Sequence, residues 1–348
     1  MSTYLDGVAD VLRGGVPPSD DPVDWSAPPP AVADALPGGA RILLVTPGFV
    51  ESRHVVGLVL DRKGRLRSVL KVPRSVRDDH AVVHEATVLR RLAEAAPALI
   101  GTTPSVVACA TVGSRRVLLE TPLVGQPLTH ARARSDAGAR TAALAWIEGL
   151  PVTGERSGSD LLDTLLEPRL ERLAAMLPAD HALHGTIEAT RAAVLPLRGR
   201  TLPTVFEHGD PAHPNILVLD GGAGTRVGLV DWELGLERGV VGYDLAQLLA
   251  FLAFSDASVH GVEAEREVFV RELVRPDGAA RMVFAEHVAR RADADLEPAL
   301  FVLAWARAGL RILDRVALAA DSGTDELLAE VEVSRNVALW QEAAAPRG

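Results

Sequence analysis

Alternation of apolar and polar positions begins at Ala40. Residues 42–46, 54–60 and 65–72 each read as a strand, the last two joined by a tight turn at Arg62-Lys63-Gly64, which predicts an antiparallel meander. From 79 to 95 the period lengthens, with Val82, Val83, Val88, Leu89 and Leu92 on one stripe of a helix. Two more strands, 105–112 and 116–120, flank a turn at Gly113-Ser114. The order strand, strand, strand, helix, strand, strand makes a small sheet with one helix packed on it. Thr121-Pro122-Leu123-Val124-Gly125-Gln126-Pro127 follows and has the Pro and Gly content of a connector. Beyond it the pattern is mostly helical, over 137–150, 161–177 and 187–195, then from 244 onward through 262–273, 279–292, 298–319 and 324–341. A strand-rich insert, 205–232, separates the two helical runs. Ahead of the first strand, residues 1–14 could make a short amphipathic helix, and seven prolines break residues 15–39. Residues 1–39 therefore read as leader and linker.

Composition narrows the function classes. Across 348 residues the formal net charge is −10, which argues against nonspecific affinity for nucleic acid, since that needs a basic surface to displace phosphate counterions. Cys109 is the only cysteine, so no intrachain disulfide and no cysteine-rich zinc module is expected. The first 15 residues carry Asp6, Asp10 and Arg13 and lack the basic start and apolar core of a signal peptide. Apolar runs such as 248–254 fall far short of the roughly 20 residues a spanning helix needs. The expectation is a cytoplasmic protein without membrane or nucleic-acid partners. Of 36 Lys and Arg residues only Lys63 and Lys71 are lysines, leaving 34 arginines. Lys63 falls in the hairpin turn, whereas Lys71 ends an apolar strand, where a compact ammonium suits a phosphate better than an Arg fork does.

The insert carries the candidate chemistry. It reads Phe206-Glu207-His208-Gly209-Asp210-Pro211-Ala212-His213-Pro214-Asn215-Ile216-Leu217, then a Gly-rich turn over 220–224, then Val227-Gly228-Leu229-Val230-Asp231-Trp232-Glu233. Two short apolar strands joined by a turn make a hairpin, which would bring Asn215 and Asp231 side by side. One or two protein oxygens are what a divalent cation on a triphosphate requires, phosphate and water filling its other positions. Asp210, on the loop before the hairpin, would be within reach of an acceptor hydroxyl. Glycines at 220–224 are not followed by Gly-Lys-Ser, which excludes a Walker-type phosphate loop. His80 and His84 stand four apart on the expected helix, but no Glu follows His80 and no third ligand is evident, so a loop or helix-face role outweighs metal binding.

His208-Gly209-Asp210, Asn215 and Asp231, together with Lys71 in its strand, Glu85 in His84-Glu85-Ala86 and Asp244 in Gly242-Tyr243-Asp244-Leu245, resemble in order the motifs of the aminoglycoside phosphotransferase and choline kinase-like family. These are small-molecule kinases related to the protein kinases. The resemblance spans residues 40–250 and, more loosely, the helical tail. It implies an α+β, protein-kinase-like two-lobed fold, with a small N-terminal antiparallel sheet plus helix and a larger, mostly helical C-terminal lobe. The corresponding division is leader and linker 1–39, N-lobe 40–120, hinge 121–127 and C-lobe 128–348. It implies ATP, with GTP left open, and Mg2+.

By the same resemblance Lys71, held by Glu85, grips the α- and β-phosphates, and the Thr121 carbonyl and Leu123 amide meet the base. Asp231 and Asn215 take the metal, with Glu233 as an added carboxylate. Asp210 orients the acceptor hydroxyl and accepts its proton, while His208 and Asp244 support the loop. The loop 47–53 has one glycine where protein kinases have three, leaving Ser52 and Arg53 as phosphate contacts, and Asp231-Trp232-Glu233 stands where protein kinases have Asp-Phe-Gly. The implied activity is transfer of phosphate to a hydroxyl of a small molecule, an antibiotic or its biosynthetic intermediate. The alternatives are a metabolic kinase of a sugar or amino alcohol and a noncatalytic nucleotide-binding module. Oligomeric state is left open.

Overall fold

The computed structural model describes residues 29–45, 54–219, 224–316 and 324–346. The helix expected over 1–14, the loop 47–53 with Ser52 and Arg53, and most of the 220–224 turn lie outside the described residues. The chain divides into two compact units, Met1–Gln126 with Leu219–Gly222 and Gly228–Gly235, and Pro127–Val218 with Ala223–Val227 and Leu236–Gly348.

In the first unit β1 (Arg41–Val45), β2 (His54–Leu60), β3 (Leu66–Pro73), β4 (Val106–Val112) and β5 (Arg115–Glu120) form one antiparallel sheet in the order β1-β2-β3-β5-β4. The β2–β3 turn is fixed by Asp61, whose Oδ1 accepts the Lys63 and Arg65 amides at 2.8 and 3.0 Å. Helix α1 (Pro30–Ala35) packs on one face of the sheet, where Val32 joins Val59, Leu70, Val72, Val117 and Leu119 in a buried cluster. Residues 30–35, expected to be linker, are thus a helix that closes a sheet face. Pro29 and Pro30 explain it, since a proline in the first helical turn gives up an amide that had no partner anyway. Helix α2 (Asp79–Ala95) covers the other face, with Val82 and Ala86 against Leu118.

Six strands follow among the described residues: β6 (Gly125–Pro127), β7 (Val152–Ser157), β8 (Thr201–Glu207), β9 (Ile216–Leu219), β10 (Val227–Leu229) and β11 (Leu236–Val240). They form two three-stranded sheets, ordered β10-β9-β6 and β11-β8-β7. The helices of the second unit include α3 (His130–Ser135), α4 (Ala137–Glu148), α5 (Leu183–Val194), α6 (Tyr243–Ala257), α7 (Ala279–Arg291), α8 (Glu297–Leu310) and α9 (Arg335–Ala344). Almost every residue of α6 and α8 is buried, so these two form the centre of the helical core, with α5 and α9 packed on α8. No single helix among the described residues is long and apolar enough to cross a membrane.

The α+β class matches the expectation, with an antiparallel N-terminal sheet and a helical C-terminal part. Three of the expected helices are each split, that over 324–341 at Ser334, which caps a new helix. The run over 161–177 breaks at Leu166 because Pro168 sits in the first turn of a new helix, and the run over 298–319 breaks at Arg311.

Candidate active site

Lys71 takes its position from the pleat of β3. It pairs with Leu118 of β5, so its side chain leaves the sheet on the α2 face, opposite Leu70 and Val72. An ammonium only 4% exposed needs compensation, and α2 supplies it. Glu85 lies on the buried stripe of α2, and its Oε1 accepts the Lys71 Nζ at 2.6 Å. The same oxygen accepts the Trp232 amide at 2.8 Å, so one carboxylate ties strand, helix and the 228–235 segment together. Asp231, next to that amide, has φ of 70°, a conformation open to few residues other than glycine, and its Oδ1 lies 3.1 Å from Lys71 Nζ. Glu120 completes the surround, with Oε1 at 3.9 Å from Nζ.

Charge follows from this geometry. Burial alone would lower the Lys71 pKa, but Asp231, Glu120 and Glu85 together hold it well above its ordinary value. Burial pushes the Glu120 carboxyl up to about 8, against the pull of Lys71. His54 of β2 is pushed down to about 4 by burial and by Lys71, so it is neutral. Its approach to Glu233, 3.7 Å, is therefore not an ion pair at neutral pH. On the connector, Thr121 is fixed by two bonds to Ser105, its amide donating to the Ser105 carbonyl at 2.9 Å and its hydroxyl accepting the Ser105 amide at 2.8 Å. Leu123 lies against Gly228, where a Cβ would come within 2.9 Å of its Cδ1.

In the second unit β8 runs directly into the 208–215 loop. Asp244, in the first turn of α6, accepts the His208 amide at 2.6 Å and the Gly209 amide at 2.9 Å. Burial first, and then the Glu207 carboxylate, push the Asp244 carboxyl up to about 8, opposed by these two amides. Gly209 has φ of 90°, so the turn before Asp210 depends on glycine. The buried His208 ring accepts the Asp210 amide through Nδ1 at 3.2 Å, a structural role. Asn215 Nδ2 donates to the Asp210 carbonyl at 3.1 Å, closing the loop on itself. Arg311, just after α8, brings Nη1 to 3.2 Å from Asp210 Oδ1 and also donates to the Gly209 carbonyl at 3.4 Å. Below the loop Glu207 is held by both terminal nitrogens of Arg307, at 2.8 and 2.7 Å, while the Arg307 guanidinium covers the Tyr243 ring at 4.2 Å.

The first unit thus brings together Lys71, Glu85 and Asp231, and the second brings together His208, Asp210, Asn215 and Asp244. His84, considered with His80 as a metal pair, is instead 2.8 Å from the Gly235 carbonyl through Nε2. Among the described residues no group of three or more His, Cys, Asp or Glu is arranged to hold a metal.

Glu120 and Arg311 were not singled out in the sequence. Glu120 carried a readable signal, an acid two positions after Leu118 on the strand face that Lys71 shares. Arg311 carried none, because 101 residues separate it from Asp210.

Residues 52–282 match the family described as phosphotransferase enzymes. No curated protein matches the chain. Solved structures similar to it include a Plasmodium vivax ethanolamine kinase, 13% identical, with a TM-score of 0.49 over 84% of this chain and 81% of that one. An aminoglycoside phosphotransferase from Streptomyces rimosus is 19% identical, with a TM-score of 0.41 over 74% of this chain and 90% of that one. A microcompartment-associated aminopropanol kinase is 16% identical, with a TM-score of 0.40 over 85% of this chain and 95% of that one. Their acceptors differ and are properties of those proteins. With the family motifs in sequence order and the match running over well more than half its length, the chain belongs to the phosphotransferase enzyme family, whose members are small-molecule kinases that transfer phosphate to hydroxyl groups.

Proposed function

We propose that the protein transfers the γ-phosphate of ATP, in a magnesium-dependent reaction, to a hydroxyl of an antibiotic or of its biosynthetic intermediate, and that it does so in the cytoplasm. The observation that carries the nucleotide half is the buried Lys71 ammonium held by Glu85 and faced by Asp231. In this reading residues 121–127 are the hinge, with the Thr121 carbonyl and Leu123 amide on the base. Lys71 binds the α- and β-phosphates as a point charge. Asp231 and Asn215 would hold magnesium, with Glu233 as an added carboxylate; the ion supplies charge neutralisation across the phosphate oxygens. Asp210, fixed by Asn215, His208 and Arg311, orients the acceptor hydroxyl. As the acceptor oxygen bonds to the γ-phosphorus and the bridging bond to the β-phosphate breaks, Asp210 takes the hydroxyl proton and ADP departs. Support for an antibiotic acceptor is compositional: an Ala-, Arg- and Gly-rich chain with two lysines is what a GC-rich genome encodes, and antibiotic producers have such genomes.

The test is ATP consumption with magnesium across aminoglycosides, macrolides, nucleoside antibiotics, choline, ethanolamine and simple sugars, with the phosphorylated product identified by mass spectrometry. A phosphorylated antibiotic supports the reading. A phosphorylated sugar or amino alcohol replaces the acceptor and keeps the chemistry. In the wild-type series Asp231→Asn is expected to abolish metal-dependent turnover, and normal turnover in that variant removes the assigned metal role.

A further inference from the structure

Three histidines of the second unit gather beside the 208–215 loop, where the transfer of phosphate itself does not use them. Strand β6 leads into α3, and the Leu128 amide donates to the Ile216 carbonyl at 2.8 Å, directly after Asn215, so His130 at the start of α3 lies next to the loop. Its ring centroid is 6.5 Å from that of His213 on the loop, 5.6 Å from that of His260 beyond α6, and 4.8 Å from the Phe251 ring of α6. His130 is half-buried, while His213 and His260 are exposed. Hydrogen bonding fixes the tautomer of His130. The Ser255 hydroxyl donates to the Phe251 carbonyl at 2.6 Å, so toward His130 Nδ1, 2.9 Å away, its oxygen can only accept. The ring proton therefore sits on Nδ1, and Nε2 carries a lone pair with no partner among the described residues. Burial, then His260, His213 and Arg335, lower the His130 pKa, which keeps the ring neutral and the lone pair open.

Charge around this lone pair narrows what it takes. Asp256, next to Ser255, is held by Arg140 at 2.7 Å, and Glu265 lies 3.7 Å from Arg335, the first residue of α9. Both carboxylates are matched by arginines, so an ammonium arriving at His130 meets the field of Arg335 without a carboxylate left to pair with. A hydroxyl supplies the O–H that Nε2 accepts and brings no charge, and the C–H face of a sugar-like ring can lie on the exposed imidazoles of His213 and His260. We propose that His130, flanked by His213 and His260, forms part of the acceptor site and selects an uncharged, hydroxyl-bearing ring such as a sugar or cyclitol unit over an ammonium-bearing one, with His130 Nε2 accepting from a hydroxyl that is not the one phosphorylated. This inference rests on Asp210 as the residue that meets the acceptor and adds to it the acceptor's class. The competing role is a tie between α3 and α6 through the bond from His130 to Ser255. That tie acts through Nδ1 and touches every acceptor alike, whereas recognition acts through Nε2 and changes the ratio between acceptors.

The experiment measures kcat and KM with MgATP for matched acceptors, methyl glucoside against methyl glucosaminide and scyllo-inositol against scyllo-inosamine, alongside Kd for MgATP by calorimetry. The wild type is expected to favour the uncharged member of at least one pair by about tenfold or more in kcat/KM. His130→Asn, whose amide keeps a donor for Ser255 but places nothing at the Nε2 position, should raise KM for that member by about tenfold, with kcat changed less than about threefold and Kd for MgATP unchanged. His130→Gln, which returns an acceptor near the Nε2 position, should recover part of the loss. An equal or greater kcat/KM for the ammonium-bearing members, turnover of no member by a protein that binds MgATP, or a His130→Asn variant that leaves the ratio within the preferred pair unchanged overturns the acceptor class and leaves the nucleotide site as assigned. Failure of the wild type to bind MgATP instead overturns the kinase reading on which the class rests.

Discussion

At the scale of single residues Asp210 is held through its backbone as well as through its carboxylate. Asn215 holds its backbone carbonyl, His208 holds its amide, and the Arg311 guanidinium lies on its carboxylate. An oriented acceptor for a hydroxyl proton must be fixed to well under an ångström to be effective, and Arg311 is the one contact on the carboxylate that comes from outside the loop and α6. Arg311→Met is expected to lower kcat by about 10- to 100-fold with KM for the nucleotide changed less than about threefold, and Arg311→Lys should recover part of kcat. A fall in KM and kcat together, or no recovery with lysine, would assign Arg311 a purely structural place. Lys71, Glu85, Asp210, Asn215, Asp231 and Asp244 were legible in the sequence because they are ordered along one pattern and because lysine is rare in this chain. Arg311 comes from tertiary placement, which no spacing encodes, whereas Glu120 shares a strand face with Leu118 that spacing could have shown.

Among the elements, β8 carries the most consequence, since its last residue leads into the 208–215 loop. Glu207 is 1% exposed and is neutralised by Arg307 of α8, while the Val240 amide of β11 donates to it at 3.0 Å. Strand, helix and edge strand are thereby pinned at one carboxylate. Arg307→Met leaves that carboxylate buried without its partner and is expected to cost about 3–5 kcal/mol, read as a lower urea midpoint. Adding Glu207→Gln should restore a large part of the loss, and a second variant as unstable as the first would contradict the pairing. The helices and the first five strands follow the apolar periodicity closely. The strands β7 and β11 did not show, because Val-Thr-Gly-Glu-Arg-Ser and Leu-Glu-Arg-Gly-Val have no clear alternation and hold their place through backbone bonds to β8. Helix α1 was hidden among prolines that read as linker.

Across the whole molecule, buried titratable groups set how stability depends on pH. His54 and His287 are pushed down to about 4, chiefly by burial, so as pH falls from about 6.5 to 4 the unfolded chain gains protons that the folded chain refuses, and stability is lost. Glu120 and Asp244 are pushed up to about 8, chiefly by burial. Their contribution is full below the ordinary carboxylate range and is lost as pH rises toward 8. The two slopes oppose each other between about 4.5 and 6.5, and only the acids act above. Tm is expected to be nearly level from pH 5 to 6.5 and to fall from 6.5 to 8.5. Glu120→Gln should remove about half of that fall in calorimetry at matched ionic strength, and a wild-type Tm that rises over that interval would contradict the burial of these acids.

The most direct test of the central claim, that this chain is a phosphotransferase working through Asp210, is magnesium-dependent ADP release measured with and without acceptor for the wild type and Asp210→Asn side by side. Acceptor-stimulated release in the wild type, lost by a factor of about 100 or more in a variant that still binds MgATP with unchanged Kd, is the expected result. Equal acceptor-stimulated release from both proteins would contradict it.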